Sequence, residues 1–138
     1  MALASISSFA QEGSDVESRK EKIEAMKVSF ITKKMNLTPE EARAFWPVYN
    51  QYENELELLR KNHRRDRQAA REDFSAVSDR EIERMVDAVI AFRQGEVDIL
   101  KKYHALFKQV LPVKKVAMLY KAEDDFKKEL LRQVKSGQ

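Results

Sequence analysis

The residues best equipped for chemistry in this 138-residue chain are cations. Arg60, Lys61, Arg64, Arg65, Arg67 and Arg71 crowd one stretch, with Asp66 as the acid among them. At that density, guanidinium and ammonium groups attract acidic proteins, lipid headgroups or nucleic acid. No aromatic residue interleaves with them to stack on bases, so nucleic acid is not expected as a partner. The run also falls where a helix is predicted to end, and cations there oppose the negative end of the helix dipole. A structural and a binding role both fit these residues.

Other chemistry is sparse. The two histidines, His63 and His104, lack an i, i+4 partner and an HExxH context. In an antiparallel hairpin turning near Ser75 they would not meet, so no metal site is expected. There is no cysteine, no glycine-rich phosphate loop and no GxSxG elbow. Most carboxylates stand at helical spacing from Lys or Arg and read as surface pairs. Glu96 is the exception, because it falls on an apolar stripe. It reads either as a buried acid with a raised pKa or as reaching a basic partner or water near Gly95. No catalytic residue, metal or cofactor is expected, and the chain does not read as an enzyme.

The aromatic cluster Phe45, Trp46, Tyr49 and Tyr52 divides by spacing. Phe45, Tyr49 and Tyr52 follow a helical seam and read as core. Trp46 and Val48 lie off that line. They pack against another helix or subunit, or they stay partly open to a client. With Arg60, Lys61, Arg64, Arg65, Arg67 and Arg71 they form the candidate binding set.

The elements that would position these groups are helices. A charged fraction of 36% beside 43% hydrophobic residues suits long amphipathic helices. The expected architecture is all-α, with four helices at about 16–35, 39–71, 79–109 and 112–135 in an elongated, bent antiparallel hairpin. Thr38 and Glu41 are spaced as a capping box, and Pro39 suits the first helical position. Ser78 and Glu81 repeat that spacing. Leu111-Pro112 marks the last restart. Pro47 lies inside the second helix, where it cannot bond the carbonyl of Arg43, so a kink is expected beside Trp46. On the third helix, Ile82, Val89, Glu96 and Tyr103 recur every seven residues, as do Met85, Phe92, Ile99 and Leu106. Val86, Leu100 and Phe107 widen the stripe toward a second neighbour. A faint echo between residues 37–60 and 111–132 suggests two successive helix-hairpin halves.

The amino terminus, ALASISSFAQE, ends a short apolar run with Ser8 and Ala10 at the spacing of a signal-peptide cleavage site. Residues 1–10 read as a signal-peptide remnant and the mature chain as starting near Gln11. Residues 11–15 form a polar lead-in, 16–135 a single helical domain and 136–138 a frayed tail. No segment reaches the ~20 apolar residues of a membrane span.

The stretch LTPEEARAFWPVYNQYE, with Leu37, Thr38 and Glu41, resembles the LTxxQ motif region of the Spy/CpxP family of bacterial periplasmic proteins. It is most similar to the branch often labelled as sensors of extracytoplasmic-function sigma factors. The later stretch VLPVKKVAMLYKAEDDFKKELLR resembles that branch's second motif region, where Leu111 is kept and Thr is absent. Glu41 stands where the family has Gln, and either completes a capping box. The methionine and histidine clusters of metal-sensing relatives are missing, so metal sensing is not implied.

The resemblance implies a periplasmic, ATP-independent chaperone-like or envelope-stress adaptor protein. Such proteins pair as cradle-shaped homodimers and hold unfolded or partly folded proteins on a basic and apolar helical surface. Its alternatives are a regulatory sensor module acting on a membrane-anchored signalling protein, such as a sigma/anti-sigma or kinase system, and a structural helical scaffold.

Overall fold

The computed structural model describes residues 7–69 and 74–137. Four α-helices follow one another: α1 (Ser7–Met35), α2 (Pro39–Ala69), α3 (Asp79–Val110) and α4 (Val113–Ser136), with a 3₁₀ turn at Phe74–Ala76 before α3. There is no strand among the described residues, so the all-α expectation holds. Residues 1–6 of the signal-peptide remnant, Arg71 and Gln138 lie outside the described residues.

The first helix is longer than expected. It begins at Ser7 and takes in the polar lead-in at 11–15, including Gly13. Glycine lowers helix propensity by ~1 kcal/mol but does not forbid the conformation. Ser136 ends α4, and the Gly137 N–H donates to the Gln133 carbonyl at 2.8 Å.

The helices pair in a nested order, α2 with α3 and α1 with α4. This corrects the expectation of two successive hairpin halves. The echo between 37–60 and 111–132 reflects similar helix starts, which say nothing about which apolar faces meet.

The chain divides into two compact units. In one, α1 and α4 run antiparallel. Phe30 meets Phe126 at 5.5 Å between ring centroids, and six residues further along α1 the Lys115 ammonium donates to the Asn36 carbonyl at 2.9 Å. Ile31, Met35, Val116, Leu119, Ala122 and Phe126 are buried. Asn36 ends α1 with φ 47°, a left-handed conformation that Asn tolerates better than most residues. Its N–H donates to the Thr32 carbonyl at 3.2 Å.

The other unit, Thr38–Pro112, is the α2/α3 hairpin. Its core is aromatic. Phe45 and Phe107 are 0% exposed and stand 5.8 Å apart between centroids. Tyr52 meets Tyr103 at 5.5 Å and Phe107 edge-on at 5.6 Å. Nearer the turn, His63 lies flat on Phe92 at 4.0 Å. Rising numbers on α2 meet falling numbers on α3, so the pair is antiparallel. Gly95 permits a close approach. A β-carbon there would stand 3.1 Å from Cδ2 and 3.3 Å from Cδ1 of Leu59.

The first capping box forms in both directions. The Thr38 N–H donates to Glu41 Oε1 at 2.9 Å, and the Glu41 N–H donates to Thr38 Oγ1 at 3.1 Å. At Ser78 only the forward half forms among the described residues, with the Glu81 N–H donating to Ser78 Oγ at 3.3 Å. The second box is therefore a single cap, although α3 still starts where expected. Leu111, buried and extended, closes α3 through its N–H to the Phe107 carbonyl. The following Pro112 disfavours a helical conformation at Leu111.

Two outcomes test this packing. Thr38→Ala removes a cap that nothing else replaces and lowers stability by ~1 kcal/mol, read from the urea midpoint. Gly95→Val pushes a branched side chain into Leu59 and costs about 1–3 kcal/mol by the same measurement.

Candidate binding surface

The basic run is built on the last turns of α2, which carry Arg60, Lys61, Arg64, Arg65 and Arg67, all exposed. The cations divide by partner. Arg64 donates to Glu57 at 2.9 Å on its own helix. Arg60 reaches across the hairpin to Glu96 at 3.5 Å, and Arg93 holds the other oxygen of that carboxylate at 3.0 Å. Glu96 thus has two basic partners beside Gly95, the second of the two readings its position on the stripe allowed. Among the described residues, Lys61, Arg65 and Arg67 make no ion pair.

Trp46 and Val48 sit apart from these cations, more than three helical turns toward the start of α2. Trp46 is half-buried. It makes edge contacts with Phe45 at 4.9 Å and Tyr49 at 5.6 Å. Spacing of i, i+3 lays the indole over Tyr49, so much of its area belongs to the aromatic core. Val48 is half-buried as well. Pro47 is exposed, and α2 passes through it as one unbroken helix.

The larger apolar surface lies on α3. Val86, Ile90, Val97 and Leu100 are 56%, 69%, 44% and 37% exposed. At 100° per residue they share one face, spanning about 20 Å along the axis. Ile90 and Val97 were absent from the predicted stripe. The signal was present, since i, i+4 and i+11 from Val86 return to one direction. It is hidden by the heptads that face α2. Helix α3 is therefore apolar on two sides, and α2 covers one of them. Val86 and Val89 also border a trough near the hairpin turn, about 530 Å³ in volume.

A polar tie flanks the core between the two helices. The Lys102 ammonium donates to Glu55 Oε1 at 2.7 Å. That bond holds the Glu55 carboxyl below the ordinary glutamate range, against the opposing pull of burial, and raises Lys102. Burial is the main cause raising the Tyr103 phenol, and the neighbouring Glu55 adds to it. Among the described residues, no group of three or more His, Asp or Glu side chains is placed to hold a metal ion. No described helix is long and apolar enough to cross a membrane.

No protein-family model, no curated protein and no solved structure matches this chain. The surface is therefore read from its own residues.

Because folding depresses the Glu55 pKa, its stabilising effect is full above the ordinary carboxylate range. It is lost as pH falls through the folded value. Glu55→Gln should lower the thermal midpoint slightly at neutral pH. The gap from wild type should close on acidification, in parallel melts across that window.

Proposed function

We propose that the chain binds unfolded or partly folded proteins in the bacterial periplasm, without ATP, as an exported chaperone-like protein. The observation that carries this reading is the exposed apolar face of α3, Val86, Ile90, Val97 and Leu100, on a hairpin whose other helix carries Lys61, Arg65 and Arg67, cations without an ion pair among the described residues. The resemblance of residues 37–53 to the Spy/CpxP motif region supports it.

The chemistry suits transient capture. Scattered aliphatic side chains on a convex helix offer many shallow contacts to a client's apolar segments. The cations draw acidic segments near and raise the rate of encounter more than the final affinity. Their aliphatic stems cover further apolar surface. No deep pocket is needed, because an unfolded client presents no fixed shape. Surface attraction of this kind weakens as the Debye length shrinks to ~8 Å at physiological salt.

The test is the light scattering of a chemically unfolded model client diluted into buffer at low ionic strength. Equimolar protein should slow aggregation several-fold. The double substitution Ile90→Asp with Val97→Asp should remove most of that effect without loss of helicity, since both side chains already face solvent. Charge reversal at Lys61 and Arg65 should weaken protection of an acidic client at low salt only. Absence of protection at any ratio rules the reading out.

A further inference from the structure

Helix α1 carries a pattern separate from the faces of the hairpin. Every residue from Gly13 to Met26 is exposed. These turns, about 20 Å of helix, stand clear of the core, which on α1 begins at Ile31. Within them the charges are sorted by side. At 100° per residue, Val16, Ile23 and Met26 fall within about 80° of one another, and they are 64%, 43% and 41% exposed. Arg19 lies among them, Lys20 and Lys27 border the strip on one side and Lys22 on the other. Glu17, Glu21 and Glu24 gather on the far side of the helix. Asp15 is the acid that shares the basic side, where it stands against Arg19, Lys20, Lys22 and Lys27. Arg19 and Lys22 make no ion pair among the described residues.

This order selects a flat anionic surface over a partner helix. Arg19 and Lys20 occupy the turn between Val16 and Ile23, so a second helix would meet charge in the middle of the seam. A layer of lipid headgroups meets the same turn with phosphates. There the apolar side chains reach the acyl boundary, while the long stems of Arg and Lys lie along it and lift their charges to the phosphates. Three apolar side chains are a weak hold on a neutral bilayer, and the cations add to it only where the surface is anionic. The buried Ile31 and Met35 lie about 110° round the helix from the strip. The helix therefore rests on a surface without giving up its packing.

We propose that α1, from Val16 to Lys27, adsorbs to bilayers that contain anionic phospholipid, with its axis in the plane of the surface. The contact is peripheral and reversed by salt, because headgroup attraction supplies much of it. It is independent of client capture, which uses α3 in the other compact unit.

The experiment floats the full chain with vesicles of phosphatidylcholine and phosphatidylglycerol in equal parts, with methyl NMR in the presence of a spin-labelled lipid as the local reporter. The expected result is binding at low salt, at least tenfold weaker on pure phosphatidylcholine and lost at high salt. Broadening should be greatest at the Val16, Ile23 and Met26 methyls and slight at Ile90 and Val97. Arg19→Glu with Lys22→Glu should lower vesicle affinity at least tenfold, and Ile23→Asp about as much. The circular dichroism spectrum should be retained in both, since all three side chains already face solvent. Charge reversal at Lys61 and Arg65 should leave vesicle binding unchanged. The proposal is overturned by no binding, by equal binding to neutral vesicles, by indifference to the α1 substitutions, or by broadening centred on α3 or the end of α2. It is also overturned if polyglutamate binds this strip while the vesicles do not, which would mark it as a contact for an acidic protein.

Discussion

The packing of aromatic rings between α2 and α3 is the constraint on which the hairpin depends. Phe45, Tyr49 and Tyr52 on one helix meet Tyr103 and Phe107 on the other, and all five are buried. Each ring removes a large apolar area from water, and tilted or edge-on pairs add ~0.5–1.5 kcal/mol beyond that burial. The five rings also set the register. Once Tyr52 stands against Tyr103, the antiparallel pairing brings Glu55 to Lys102, Leu59 to Gly95 and Arg60 to Glu96. The polar ties are consequences of that register and make it specific, since a slipped pairing would set a carboxylate against apolar surface.

Away from the rings the interface changes character. Gly95 lets Leu59 come close, and His63 on Phe92 is the last flat contact before the trough. Beyond it, apolar residues outnumber what α2 can cover. One end of the hairpin is a filled core and the other is an open one. That difference separates the part of the hairpin that stabilises it from the part whose apolar side chains stay exposed. Trp46 lies beside the first through its ring contacts, and the basic run lies along the second. The i, i+3 geometry ties the indole to Tyr49, while the last turns of α2 border the trough.

Much of this was legible in the sequence. Thr38-Pro39-Glu40-Glu41 states a helix start in local terms, and the two reciprocal hydrogen bonds form as that spacing requires. The boundaries at Asn36, Asp79 and Leu111 follow from a residue that tolerates the left-handed region, a serine cap and a pre-proline position. The seam Phe45, Tyr49 and Tyr52 is buried as its three-and-four spacing implies. The polar lead-in at 11–15 is helical in α1, because weak helix formers such as Gly13 and Ser14 lower helix stability without forbidding the conformation. The open face of α3 was missed for a different reason. Its apolar residues interleave with the heptads of the buried face, and burial cannot be assigned between two such faces without knowing where the partner lies.

The sequence by itself determined the helices, their caps, the aromatic seam and the charge carried by the end of α2. These depend on residues within a few positions of one another, where propensity, capping and side-chain spacing act. Only the tertiary structure decided that α1 pairs with α4 and α2 with α3, which side of α3 is covered, and which cations are spent on Glu57 and Glu96. Several amphipathic faces in this chain are similar enough in period and size to be each other's partners. The choice among them comes from how much apolar area each pairing removes from water, a quantity no single helix contains.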